Sequence, residues 1–128
     1  MFDHIGLRVK DLEAAKKLYA AMLAPLGHVL GPSGKEYAGF GPKDKPKLWL
    51  HLDKKGGGAH VCFRAESREA VDKFHAAGLK AGAKDNGKPG LRTDYAPTYY
   101  GAFLLDGEGN NVEAVSYSQS PAGSGRPA

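Results

Sequence analysis

The apolar positions of this chain change period in a set order, and that order occurs twice. Over residues 3–9 polar and apolar positions alternate. Ile5, Leu7 and Val9 face one way and His4, Gly6 and Arg8 the other, which predicts a half-buried strand. From Asp11 the period lengthens. Asp11 is placed to cap a helix whose Leu12, Ala15, Leu18, Tyr19, Met22 and Leu23 form one apolar stripe, ended by Pro25 and Gly27. Three short strands are expected next, at about residues 28–30, 36–40 and 48–52. Gly, Pro and Lys clusters at 31–34 and 41–46 separate them.

After the run Gly56-Gly57-Gly58 the pattern restarts. A strand is expected over 59–65, then a helix from Ser67 carrying Ala70, Val71, Phe74 and Ala77 and ending at Gly78. A short strand at 79–83, a long loop over 84–98, and strands at 99–106 and 111–118 complete the second unit. Residues 119–128 are rich in Ser, Pro, Gly and Ala, and disorder is expected there. The fold class is therefore α+β, built from two βαβββ modules at about 2–55 and 59–118 within a single domain over 1–118. Each module's helix covers one face of its sheet. The other face needs a partner, either the second module or a second chain.

Bulk properties narrow the function classes. The chain has 128 residues, 41% of them hydrophobic, and no apolar run long enough to span a membrane. The N-terminus enters a strand pattern at once, without the basic and apolar regions of a secretory signal. A single cysteine, Cys62, excludes an intrachain disulfide, and a cytoplasmic location is expected. The formal charge of +4 comes from scattered lysines and not from a dense basic stripe, so no nucleic-acid partner is expected. A small anionic molecule is the partner such a basic rim attracts.

Strand alternation puts His4 and Arg8 on the face away from the first helix, and His60, Cys62 and Arg64 on the matching face of the second module. On the last strand Asn111, Glu113, Val115 and Tyr117 share a face. A carboxylate within Val112-Glu113-Ala114-Val115 is unusual, because such a group is rarely buried without a partner. Two imidazoles and one carboxylate are the donor types of a divalent-metal centre with open positions, suited to Fe, Mn, Zn or Ni. Surface and packing roles for the same three residues stay open at this point. Tyr100, beside Glu113, carries a phenol able to donate to a substrate oxygen. Arg8 and Arg64 are candidates to fork a substrate carboxylate. The loop segment from Pro89 to Tyr95 offers Arg92 and Tyr95 as further substrate contacts. Cys62 is expected as a small buried thiol.

The stretches Asp3-His4-Ile5-Gly6-Leu7-Arg8-Val9, His60-Val61-Cys62-Phe63, and Tyr99-Tyr100-Gly101-Ala102-Phe103 through Asp106, Gly109, Asn110 and Glu113 resemble the vicinal oxygen chelate superfamily. That superfamily includes glyoxalases, bleomycin-resistance proteins and extradiol dioxygenases. The resemblance covers about residues 2–118 and implies two modules forming a curved mixed-sheet cleft around one divalent metal per site. By position it implies His4, His60 and Glu113 as ligands, with Glu113 also able to move a proton. The family's glyoxalases have a further Glu in the last strand of the first module. Here that region reads Lys47-Leu48-Trp49-Leu50-His51-Leu52, so no carboxylate stands there. His51 is the candidate substitute or, with Trp49, a wall of the pocket.

This departure argues against lactoylglutathione lyase activity. It leaves a metal-dependent enzyme of lyase, isomerase, thiol-transferase or dioxygenase type acting on a small oxygenated substrate. The alternative is a non-catalytic drug-binding and resistance protein using Trp49, His51, Tyr37 and Tyr100. A homodimer is expected in either case. The resemblance leaves open whether the site forms within one chain or across two.

Overall fold

The computed structural model describes residues 1–119; most of the expected disordered tail, at 120–128, lies outside the described residues. The element order is β1 (Ile5–Val9), α1 (Leu12–Leu23), a single 3-10 turn (Ala24–Leu26), β2 (Val29–Ser33), β3 (Tyr37–Gly41), β4 (Leu48–Leu52), β5 (His60–Arg64), α2 (Arg68–Lys80), β6 (Lys84–Leu91), β7 (Tyr100–Leu105) and β8 (Asn111–Ser116). That is βαβββ twice, an α+β architecture. The strands form two four-stranded sheets, β1-β4-β3-β2 and β5-β8-β7-β6. In each sheet the first strand pairs in parallel with the last strand of its own module, and the remaining pairs are antiparallel.

Local chemistry explains the helices. The Asp11 side chain accepts from the Ala14 N–H and that of Ser67 from the Ala70 N–H, so both helices begin at a side-chain cap. All six stripe residues of α1 are buried. The helices pack against each other as well as against their sheets. One core cluster therefore runs through both modules, from Leu7, Phe40 and Leu50 to Phe74, Leu104 and Val112. A buried hydrogen bond reinforces the join: the Tyr19 hydroxyl on α1 donates to Asp106 at the β7–β8 turn, 2.8 Å away. Burial and the adjacent Asp106 carboxylate push the Tyr19 phenol well above its ordinary range and keep it protonated.

Three expectations for the second module are corrected. Gly78 does not end α2, which continues to Lys80. A Cβ at Gly78 would stand 2.3 Å from Leu104 Cδ1 and 3.5 Å from Met22, so the missing side chain lets α2 lie close to both β7 and α1. The segment 79–83 holds the end of α2 and a turn, not a strand, and the expected loop after it begins with the eight-residue strand β6. That strand is exposed, lies at the edge of its sheet, and is irregular around Gly87. It therefore lacks the apolar alternation by which strands are recognised. Among the described residues no helix is long and apolar enough to cross a membrane.

Candidate functional site

The helices cover one face of each sheet. On the second module's uncovered face, register fixes what stands together. Cys62 pairs with Glu113, and Glu113 with Phe103, so these three form one row. Glu113 is 2% exposed. Its Oε1 lies 2.9 Å from Nε2 of His60, and its Oε2 accepts a short hydrogen bond from the Tyr99 hydroxyl. Both carboxylate oxygens thus have a partner, as a buried carboxylate requires. Burial and the bond to Glu113 raise the Tyr99 phenol, so it remains a donor across the physiological range.

Aromatic rings surround this centre. Tyr95 and Tyr117 each meet Tyr99 edge to face, with centroids 5.0 and 5.4 Å away. The Arg64 guanidinium lies 4.9 Å from the Tyr117 ring centre and that of Arg92 5.5 Å from the Phe103 ring centre. Arg92 also donates to the Lys88 carbonyl. His60 is a further neighbour of Phe103. Four residues expected around Glu113, namely His60, Arg64, Arg92 and Tyr95, are therefore gathered on one face. Cys62 is there too, exposed rather than buried as expected. Desolvation, with the Glu113 carboxylate beside it, pushes its thiol up to about 12, which leaves little thiolate for chemistry.

Tyr100 is not in this group. It is on the helix side of β7, where its hydroxyl donates to Asp72 on α2 at 2.7 Å and Arg68 packs over its ring. Burial and Asp72 push that phenol up to about 12. The partner of Glu113 is the preceding residue, Tyr99. The hairpin supplies the reason. Asp106 N–H donates to the Asn110 carbonyl, so the turn centres on Glu108, and Phe103 falls opposite Glu113. Odd-numbered residues of this strand then share the face of Glu113. The turn spacing was the available signal for Tyr99 and Phe103, whereas Tyr117 follows from alternation with Glu113.

The other expected site residues lie on the first module. Gly6 pairs with Trp49 and Arg8 with His51 in register, and the His51 ring lies against Gly6. The Trp49 ring is tilted 50° against that of Tyr37. His4 is 59% exposed at the start of β1, with Nδ1 2.7 Å from Asp3. Among the described residues no three His, Cys, Asp or Glu side chains converge to hold a metal. The expected set of His4, His60 and Glu113 is thus not assembled within one chain. Among the described residues β1 pairs with β4 alone and β5 with β8 alone, so the strands that follow His4 and begin at His60 belong to different sheets. His51 stands on the first sheet with Trp49, and among the described residues it joins no cluster able to hold a metal, so it does not replace the missing first-module Glu within one chain. One chain offers two donors, which does not fit a three-ligand centre.

No protein-family model matches the sequence, and no curated protein matches it. Solved structures do. A glyoxalase/bleomycin resistance protein from Albidiferax ferrireducens is 30% identical, covers 91% of this chain and 98% of its own, and superposes with a TM-score of 0.80. A glyoxalase/bleomycin resistance protein/dioxygenase family enzyme from Burkholderia phytofirmans is 18% identical with a TM-score of 0.70, over 90% of this chain and 97% of its own. A glyoxalase-related enzyme from Fulvimarina pelagi is 14% identical with a TM-score of 0.68, over 88% of this chain and 84% of its own. The latter two show likeness of fold alone. Taken with the paired βαβββ modules and the closing Asp106 to Glu113 hairpin, the first places the chain in the glyoxalase/bleomycin resistance family of the vicinal oxygen chelate superfamily.

Proposed function

We propose that the protein binds a small, planar, oxygenated molecule on the uncovered face of its second module. The observation that carries this reading is the buried Glu113, held from both sides by Tyr99 and His60 beneath a group of aromatic rings. Tyr95, Tyr117 and Phe103 offer ring surfaces for stacking. Arg64 and Arg92 bring positive charge to the same face and suit an anionic ligand oxygen. His60, half-exposed, is the group able to exchange hydrogen bonds with ligand hydroxyls, and the buried Glu113 orients its ring. Titration calorimetry with a panel of catechols, benzoates and 2-hydroxy acids tests this. For the ligand that binds, Glu113→Gln and Tyr99→Phe should each weaken affinity about tenfold, and Trp49→Phe should not. Equal affinity in all four proteins would remove the assignment.

Metal-assisted catalysis is a second reading, supported by one distance. An imidazole nitrogen and a carboxylate oxygen 2.9 Å apart can serve as adjacent donors to one ion. A second copy of the chain would then supply the third donor. Metal analysis after loading with Fe(II), Mn(II), Ni(II) or Zn(II), paired with sedimentation, decides it. A dimer holding close to one equivalent per chain, lost in both His60→Ala and His4→Ala, supports the reading. A protein that holds none refutes it.

A further inference from the structure

A cavity lies where the start of β1 approaches β5, with Cys62, the register neighbour of Glu113, in its lining. It measures about 430 Å³, well above the roughly 150 Å³ that admits a benzene ring. Its floor consists of Leu23, Phe40, Leu48 and Val61, all buried, and its mouth carries the exposed His4 and Lys47. These residues come from α1, β3, β4 and β5, so the cavity enters the seam between the two modules. Its lining is mainly carbon, and water gains little by entering such a space.

Asp3, His4, Lys47 and Cys62 also line the cavity, and His28 adds a polar ring to its wall. Its Nδ1 is sealed from solvent and has no hydrogen-bond partner. A buried N–H without a partner is rarer than a buried acceptor without one, so the ring proton belongs on Nε2. Nε2 makes no hydrogen bond to protein among the described residues, which leaves it a free donor on a ring that borders both this cavity and the groove lined by Pro25, Arg64 and Ser67. Burial lowers the His28 pKa, so the ring carries no charge at neutral pH.

From this lining we infer that the module seam is a second ligand site, for an uncharged bicyclic-sized apolar molecule bearing one hydrogen-bond acceptor. An anionic ligand is disfavoured by the apolar floor. Neither Glu113 nor Tyr99 lines this cavity, and the Glu113→Gln variant separates it from the function proposed above.

Prodan, an uncharged naphthyl ketone whose emission reports polarity, is a suitable probe. Titrated with the whole chain, it should show blue-shifted, saturable emission. Ile5→Trp, which fills the cavity from β1, should lower affinity about tenfold or more, and His28→Leu about fivefold. Glu113→Gln should leave prodan affinity unchanged. Circular dichroism identifies any variant that fails to fold, and His28→Leu, which adds no bulk, serves if Ile5→Trp does. Three results would each overturn the site: no saturable emission, affinity indifferent to both seam substitutions, or an equal loss in Glu113→Gln. Prodan binding that disappears as the protein self-associates would also overturn it, because a second copy would then be the occupant.

Discussion

A single phenol carries much of the site at the residue scale. Tyr99 satisfies one oxygen of a carboxylate that is 2% exposed, so its loss leaves a buried acceptor with one partner fewer. Tyr99→Phe should cost about 1–3 kcal/mol of stability in a urea titration. The double variant with Glu113→Gln should cost less than the sum of the two, because both remove the same bond. Cys62 allows a chemical check. With its thiol pushed up to about 12, alkylation at neutral pH should be far slower than for a free thiol, and Glu113→Gln should speed it. Glu113 itself was legible in the sequence, because a carboxylate amid valines demands a partner. Its true phenolic partner was not. Tyr99 and Tyr100 are neighbours, and a one-residue difference in register exchanges the faces of a strand. Tyr100 is the phenol expected from the sequence, although the spacing of the turn puts Tyr99 on the face of Glu113.

Elements were most legible where the chain is buried on one side. The α1 stripe and both caps follow from spacing and cap chemistry. β6 did not, because an exposed edge strand with Pro89 and two glycines reads as a loop. Gly78 was misread for a related reason: it resembles a helix stop, yet it is the point where α2 approaches Leu104 and Met22. Gly78→Ala gains helix propensity of about 1 kcal/mol but places a methyl against a fully buried Leu104, an overpacking cost of about 1–3 kcal/mol. A net loss of stability and a lower Tm are expected. Ser67→Ala removes the α2 cap and should cost about 1 kcal/mol in the same measurement.

At the scale of the molecule, the repeat foretold two sheets but not how their residues would be shared. Arg8, Trp49 and His51 belong to the first module, and Arg64, Arg92 and Glu113 to the second, because β1 and β5 each pair within their own module. Acid should act on the seam between them. The unfolded His28 takes up its proton near 6.5, whereas the folded one does so only at lower pH. The unfolded state therefore binds more protons in that interval. Its contribution to stability is complete above pH 6.5 and is lost as pH falls toward the lowered value. Thermal melts across this range should fall with acidity, and His28→Gln should flatten the curve. The glycine run between the modules has a topological consequence. A Cβ at Gly57 would lie 2.8 Å from the Arg8 carbonyl oxygen, so the connector is fastened along the end of β1 only while that position stays bare. Gly57→Val should spring the connector loose and let two chains trade their second halves, visible as an intertwined dimer that survives dilution for hours.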